Sequence, residues 1–295
     1  FHNVCSHRCL KLVNKKKNVG KMIQCPYHSW TYDLDGKLKA APHFGGTNQH
    51  RPKGFNYLDH GLKPIRIHIW HDWIFINLNG KAKKFTEYAK PIIKKFQDIN
   101  LDKIKHVATL DFGQINSNWK FLIENFIEPY HVQFVHKTTT KQPLKDHYTI
   151  VDGICLGSGI DVKEENKDKN TLSVSSRYLS LFPNFIIGNY FPNQIGVYLN
   201  VPINPGLTTQ KRIIYTTDGK TMSEEEINTQ KKIWWDVHKE DHAICERLQE
   251  GRSSPASEKG GLLSPHWENS VKAFQKLIIN STMKYSKIMK GRKNV

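Results

Sequence analysis

The sequence predicts an α+β protein in which a small, β-rich domain precedes a larger domain of strands and helices. Three observations carry this prediction. Residues 1–80 hold only short strand-forming runs separated by turns, residues 148–217 alternate as strands, and two long stretches of helical periodicity follow. A chain of 295 residues is long enough for two domains. We place the boundary after residue 80, which gives domains of residues 1–80 and 81–295.

The N-terminal domain is predicted from its turns and short strands. Asp35-Gly36 is a dipeptide typical of tight hairpin turns. Residues 65–70 and 73–78 are rich in Ile, Trp and Phe and are predicted to pair as two strands. The chain opens on Phe1, and its first residues have the pattern of a strand end that runs into a loop. We therefore expect the natural N-terminus, with strands that would support this loop, to be absent.

The larger domain is predicted from helical periodicity on both sides of a block of strands. Pro91 lies in the first turns of the first of these helices, and turns with Pro, Asn and Gly interrupt the strands. The predicted helices cover residues 86–99, 118–135, 223–249 and 267–289. The predicted turns are Pro183-Asn184, Pro192-Asn193 and Asn204-Pro205-Gly206.

Composition narrows the range of functions. The net charge of +17 comes from scattered Lys and Arg, without a nucleic-acid-binding motif or interleaved aromatic residues. We interpret it as favouring solubility and attraction for an acidic partner protein rather than for nucleic acid. The apolar runs are too short to cross a membrane, and no secretory signal is visible. Five cysteines are too few for a disulfide framework, which indicates a reducing, cytoplasmic location and cysteines used as metal ligands.

The first candidate metal site consists of two loops that each supply one Cys and one His. Cys5 and His7 have the spacing C-x-H, and Cys25 and His28 have the spacing C-x2-H. Two thiolates on one iron and two imidazoles on the other define a Rieske [2Fe–2S] cluster. A Cys2His2 zinc site takes the same ligand types, but zinc fingers usually pair Cys with Cys and His with His. The loops therefore favour the cluster over zinc.

These loops resemble the Rieske domain of ring-hydroxylating oxygenases, where C-x-H-R is followed by C-x-x-H and soon by Trp. Cys9 stands where that family commonly has Gly. The Rieske proteins of respiratory and photosynthetic cytochrome complexes resemble this chain less. They usually carry an extra Cys in each loop, whereas the second loop here has Tyr27.

The second candidate metal site begins with His131 and His136, five residues apart on a predicted helix or helix and turn. With one carboxylate they would form the 2-His-1-carboxylate triad of non-haem Fe(II) enzymes. Residues 118–136 resemble the oxygenase motif N-W-K…E-N-x-x-(D/E)-x-Y-H-x4-H. The resemblance implies that Glu128 bridges the iron site to the cluster of a neighbouring subunit and that Asn125 lines the pocket.

The carboxylate ligand is expected from a later segment. Residues 240–251 resemble the family's E-D-x-x-x-x-E-x-x-Q-x-G pattern, which implies that Asp241 is the iron ligand. Three neighbouring acids, Asp236, Glu240 and Glu246, compete with it when spacing alone is considered.

The resemblance extends over nearly the whole chain and implies a Rieske domain followed by a helix-grip (START/Bet v1-like) catalytic domain. It implies a [2Fe–2S] cluster, a mononuclear Fe(II) and a homotrimer. It also implies electrons from NAD(P)H through a separate reductase or a ferredoxin, and O2 as co-substrate. The product would be a hydroxylated, dihydroxylated or dealkylated small molecule. Quaternary amines such as choline and carnitine, and aromatic acids, are the expected substrates.

Two other classes stay open at this point. A Rieske electron carrier would keep the cluster and lack the second site, which His131 and His136 argue against. A zinc-binding interaction protein would keep the Cys and His residues without redox chemistry.

Overall fold

The computed structural model describes residues 1–140, 142–161, 175–190 and 193–292. Part of the predicted strand block (residues 162–174) and Pro192 of one predicted turn lie outside the described residues. The chain forms two compact units, Phe1–Phe85 and Thr86–Val295.

The N-terminal unit contains two small antiparallel sheets. Strands β1 (Met22–Gln24), β2 (Thr31–Asp33) and β3 (Leu38–Ala40) form one sheet, and β4 (Arg66–Trp70) pairs with β5 (Trp73–Asn77) in the other. The predicted hairpin turn lies between β2 and β3, where Gly36 has a φ of 78°. The predicted pairing of residues 65–70 with 73–78 is confirmed, with Trp70 opposite Trp73.

The second unit is built on a seven-stranded antiparallel sheet in the order β6-β12-β11-β10-β9-β8-β7. Its longest strands, β6, β11 and β12, are neighbours and form one side of the sheet. The strands are β6 (Lys105–Ile115), β7 (His147–Asp152), β8 (Cys155–Asp161), β9 (Ser175–Leu181), β10 (Phe185–Tyr190), β11 (Gln194–Asn204) and β12 (Leu207–Thr216).

Helices α3 (Trp119–Ile127), α5 (Glu224–Arg252) and α6 (Asn269–Arg292) pack on this sheet. Helix α3 contacts both α5 and α6 as well as strands β8, β9 and β11. A capping box starts α5, because the Ser223 and Glu226 side chains each bond the other's backbone amide. Buried apolar side chains of α3, α6 and the sheet form one core cluster.

Two predicted helices are interrupted in the structure. The predicted helix at 86–99 is two short helices, α1 (Phe85–Tyr88) and α2 (Lys90–Lys95), with Pro91 in the first turn of α2, where its missing N–H is tolerated. The predicted helix at 118–135 ends at Ile127 and resumes as α4 (Val132–Val135). Pro129 causes this break, because a residue before proline is driven to extended backbone, and Glu128 has φ −115° and ψ 146°.

None of the helices in the described ranges is both long enough and apolar enough to span a membrane.

Candidate metal centres and substrate pocket

The two Cys-and-His loops of the N-terminal unit share one backbone hydrogen-bond pattern. In both loops the amide of the cysteine donates to the carbonyl five residues later at 2.8 Å. The amide four residues later donates back to the cysteine carbonyl at 3.1 Å. The loops that begin at Cys5 and Cys25 are therefore two copies of the same turn.

Each turn requires a left-handed backbone at its fifth residue. Cys9 has a φ of 58° and Ser29 has a φ of 56°. Glycine adopts this conformation without steric cost, whereas other residues are disfavoured there. The geometry therefore explains why Gly is common at the position of Cys9, and it shows that Cys9 is held in a strained conformation.

The four predicted cluster ligands lie on one side of these turns. Cys5 and Cys25 are 1% and 2% exposed and belong to one buried cluster of the N-terminal unit. The imidazole of His7 is partly exposed, that of His28 is exposed, and their ring centroids are 4.7 Å apart. Two buried thiols beside two more exposed imidazoles are the donor set that would hold a Rieske [2Fe–2S] cluster.

Polar contacts connect the two loops. The Tyr32 hydroxyl lies 3.2 Å from the Cys5 Sγ and accepts from the Ser6 amide at 3.0 Å. The Arg8 guanidinium donates to the Tyr27 hydroxyl at 3.2 Å. Tyr27 therefore contributes a hydrogen bond between the loops at the position where a disulfide cysteine would be found in respiratory Rieske proteins.

The second centre forms at the break between α3 and α4. His131 and His136 flank α4, and Asp241 reaches them from α5. Candidate ligand atoms of all three residues lie within 4.8 Å of one another. The Asp241 Oδ1 is 3.6 Å from the Nε2 of His131 and 3.1 Å from the Nε2 of His136. The structure thus brings together the three residues predicted as iron ligands.

Each histidine of this centre has its own carboxylate partner. The Nδ1 of His131 lies 2.6 Å from the Glu128 Oε1, and the Nδ1 of His136 lies 2.7 Å from the Glu240 Oε2. Glu240 also accepts from the Thr139 hydroxyl at 2.7 Å. Because carboxylates accept, both Nδ1 atoms carry hydrogen, and both Nε2 atoms face the Asp241 carboxylate.

By spacing alone, Glu240 was a candidate metal ligand in competition with Asp241. The structure places Glu240 beside the Nδ1 of His136 instead, a contact that the sequence did not predict. The acidic pair Glu240-Asp241 was visible, but the contact with His136 joins residues 104 positions apart. No local pattern predicts such a contact.

The electrostatics of this centre suit a cation. Burial favours neutral His136, yet Asp241 and Glu240 raise the pKa of His136 to about 9. Burial alone would raise the pKa of Asp241, but His136 and His131 hold it far below its usual range. Metal ligands must be deprotonated, so a divalent cation would replace the protons that these carboxylates stabilise.

Two family models match this chain. The family model "Ring hydroxylating alpha subunit (catalytic domain)" matches residues 94–282, and the model "Rieske [2Fe-2S] domain" matches residues 1–51. The first match covers well over half of the chain. This chain belongs to the ring-hydroxylating alpha subunit family.

Curated relatives of this chain include monooxygenases named for choline and for glycine betaine. Chloroplastic choline monooxygenase from Atriplex hortensis is 27% identical over 279 residues, which cover 90% of this chain and 60% of the relative. The glycine betaine monooxygenase oxygenase subunit from Pseudomonas aeruginosa is 35% identical over 146 residues, which cover 49% of this chain and 32% of the relative. The chain therefore spans no more than about three-fifths of these relatives.

Solved structures share the fold. The quaternary ammonium Rieske monooxygenase CntA superposes with a TM-score of 0.75 at 20% identity, over 94% of this chain and 77% of that one. Naphthalene 1,2-dioxygenase from Rhodococcus sp. gives a TM-score of 0.66 at 17% identity, over 88% and 70% of the two chains. The predicted α+β fold, with a Rieske domain before the catalytic domain, is confirmed.

The catalytic unit of this alpha subunit has a pocket at the second metal centre. The Asn125 amide donates to the Asp241 Oδ1 at 2.9 Å, and Asn125 also lines this pocket. Aromatic side chains form much of the remaining wall: Phe126, Tyr178, Tyr190, Tyr198 and Trp234. Apolar and aromatic walls with a few convergent polar groups are typical of sites for small organic molecules.

Proposed function

We propose that this chain is the oxygenase subunit of a Rieske-type mono- or dioxygenase that oxidises a small organic substrate with O2. The observation that carries the proposal is the group of His131, His136 and Asp241, which converges at the wall of an aromatic-lined pocket. Two imidazoles and one carboxylate are the ligand set of non-haem iron oxygenases, which leave positions open for O2.

The site residues have distinct proposed roles. Cys5, His7, Cys25 and His28 would hold a [2Fe–2S] cluster in the N-terminal domain, and His131, His136 and Asp241 would hold Fe(II) in the catalytic domain. When bound, the cluster supplies electrons one at a time and the iron activates O2. The protein residues around the iron orient its ligands, because Glu128 and Glu240 fix both imidazoles and Asn125 fixes the Asp241 carboxylate.

Glu128 is proposed to connect this centre with the cluster of an adjacent subunit in a homotrimer. Its Oε1 contacts the Nδ1 of His131, and its Oε2 accepts from the backbone amides of Tyr130 and His131. This carboxylate is therefore held rigidly on one metal ligand. Electrons would come from NAD(P)H through a separate reductase or a ferredoxin, and the net charge of +17 favours an acidic donor protein.

Quaternary amines are the proposed substrates, with hydroxylation or dealkylation as the reaction. Relatives named for choline and glycine betaine, and the fold shared with CntA, support this choice over an aromatic acid. We also retain a cytoplasmic location as a proposal from the cysteine usage. The curated plant relatives are named as chloroplastic, so fractionation of the source cells would test it.

The experiment that tests the proposed function combines metal analysis with oxygen uptake. We expect two irons and two labile sulfides per cluster, one further iron, and O2 uptake that depends on an added quaternary amine. A colourless, zinc-loaded protein would contradict the proposal.

A His131→Ala variant separates the two centres. We expect it to keep the visible spectrum of the cluster and to lose the mononuclear iron and all turnover, because His131 belongs to the second centre, with Glu128 and Asp241. The matched control is His266→Ala, which removes an exposed histidine and should leave both spectrum and turnover intact. Turnover at the wild-type rate in His131→Ala would refute the iron assignment.

A further inference from the structure

The catalytic unit contains a fully buried arginine beside the aromatic wall of the pocket. Arg212 lies on β12 directly opposite Tyr198 of β11, and it is 0% exposed. The sheet leaves room for its side chain because the neighbouring strand residue is Gly196. A Cβ atom at Gly196 would lie only 2.5 Å from the Arg212 Nη2.

Arg212 has aromatic neighbours and hydroxyl acceptors but no acidic partner among the described residues. Its guanidinium carbon lies 3.4 Å from the centroid of the Trp234 ring. Its Nη1 donates to the hydroxyls of Tyr198 and Tyr190. Its Nε and Nη2 are buried without a hydrogen-bond partner. A buried charge without a counter-charge is costly, so a site that retains one invites an anionic ligand.

The two tyrosines offer one hydroxyl proton to a ligand. A guanidinium only donates, so both tyrosine oxygens accept from Arg212. The Tyr190 and Tyr198 oxygens are 3.1 Å apart, and one of the two hydroxyl protons is used between them. Burial raises the pKa of Tyr198 well above its usual value although Arg212 opposes this, so the hydroxyl stays protonated. The second proton is therefore left to donate elsewhere.

The tyrosine pair and the ring that covers Arg212 share one pocket with the metal ligands. Tyr190, Tyr198 and Trp234 line the same pocket as Asp241. Trp234 precedes Asp241 by seven residues in α5, which is two helical turns along one face. A rise of 1.5 Å per residue separates the two positions by about 10 Å along the helix axis. The pocket therefore extends about two helical turns from its metal end at Asp241 to Trp234, whose ring covers the Arg212 guanidinium.

We propose that Arg212 and the Tyr190–Tyr198 pair select substrates that carry a carboxylate. The carboxylate would accept the remaining tyrosine proton near the guanidinium, while the carbon to be oxidised lies at the metal end. Tyr190 and Tyr198 would contact the substrate, and Arg212 acts through them as a positioning residue. This inference rests on the proposed oxygenase function and narrows its substrates to amino-acid-like betaines.

Glycine betaine and choline are the matched probes, because both carry a trimethylammonium group and only glycine betaine has a carboxylate. Calorimetric titration of the iron-loaded protein should show glycine betaine binding at least about tenfold more tightly, as expected for a hydrogen bond to a charged group. Equal binding, or a preference for choline, would overturn the inference.

Variants separate a charge effect from a structural one. Arg212→Met should remove most of the preference for glycine betaine, whereas a merely structural defect weakens the binding of both probes equally. Arg212→Lys should restore part of the preference, because it restores the positive charge. Tyr198→Phe, which keeps the ring and the fold, should reduce the preference without any change at Arg212. An unchanged ratio in both Arg212→Met and Tyr198→Phe would refute the proposal.

Arg177→Met is the matched control, because Arg177 lies on the same sheet but pairs with Asp98. It should leave the ratio of the two binding affinities unchanged.

Oxygen uptake distinguishes failure of the proposed oxygenase function from failure of the carboxylate inference. If the binding preference holds and neither probe supports O2 uptake, the oxygenase function fails. If O2 uptake proceeds equally well with both probes and binding shows no preference, the carboxylate inference fails.

Discussion

Individual carboxylates determine how the histidines of the iron centre can act. His131 and His136 each have Nδ1 engaged by a different glutamate, which leaves both Nε2 atoms for the metal. These partners come from different places, because Glu128 is local in sequence and Glu240 is on α5. The two histidines are therefore oriented independently of each other, and loss of one partner should not misplace the other imidazole.

Removal of the Glu240 side chain tests this arrangement. We expect Glu240→Ala to weaken iron binding about 10- to 100-fold, as is typical when the partner of a ligating histidine is lost. The control is Asp236→Ala, which removes an acid of the same helix that pairs with Lys232 instead. Competition with a chelator measures both affinities, and equal iron retention in the two variants would contradict the role of Glu240.

The strained residue of the first cluster loop gives a second test at this scale. Cys9→Gly should raise the free energy of unfolding by about 1 kcal/mol, because glycine accepts the left-handed φ that costs other residues about 1–2 kcal/mol. Cys9→Val should lower it, since a β-branched residue is least tolerant there. Chemical denaturation would measure both, and a stability order with Val above Gly would contradict the strain.

At the scale of elements, the contact between α3 and α6 buries an ionisable group. Glu124 of α3 accepts from the Gln275 amide of α6 at 3.2 Å. Burial raises the pKa of Glu124 from 4.5 to about 7, although Gln275, Arg252 and Lys120 all act to lower it. Its carboxyl is therefore protonated in the folded protein at pH values where the unfolded chain has lost that proton.

The stability of the protein should depend on pH through Glu124. Between pH 4.5 and about 7 the folded state binds a proton that the unfolded state does not, so the free energy of unfolding falls as pH rises. The loss is complete above pH 7 and amounts to at most about 3 kcal/mol. Glu124→Gln should remove this contribution and be more stable than wild type at pH 8.

The control for this prediction is Glu258→Gln, which changes an exposed glutamate. Its free energy of unfolding, measured by chemical denaturation, should have the same pH dependence as that of the wild type. A Glu124→Gln variant with the wild-type pH dependence would show that the carboxyl titrates normally.

At the scale of the whole molecule, the proposed trimer would pass electrons from the cluster of one subunit to the iron of an adjacent subunit. A His28→Ala variant should lose the cluster, and a His131→Ala variant should lose the iron. If electrons pass between subunits, co-expression of the two variants should restore part of the turnover that neither has alone. The control is to express the two variants separately and to mix them after assembly, so that no trimer contains both kinds of subunit. If co-expression restores no turnover, electrons pass within one subunit.

The fold and the candidate ligands of both proposed metal centres could be predicted because their sequence signals are local. Each pair of Cys and His ligands lies within one loop, and His131 and His136 flank a single helical turn. The prediction of one continuous helix over residues 118–135 was wrong. Pro129 interrupts it, and this interruption allows the chain to carry His131 and His136 to Asp241.

By itself the sequence determined the ligand types, the loop spacing and the two-domain order, because these depend on neighbouring residues. Only the tertiary structure decided which of the α5 acids meets the histidines. It directs Asp241 to both Nε2 atoms and Glu240 to one Nδ1, while Glu246 accepts from the Asn116 amide. It also buried Arg212 against Trp234 without an acid. These contacts join residues far apart in the chain, so they depend on sheet register and helix packing, which no local pattern encodes.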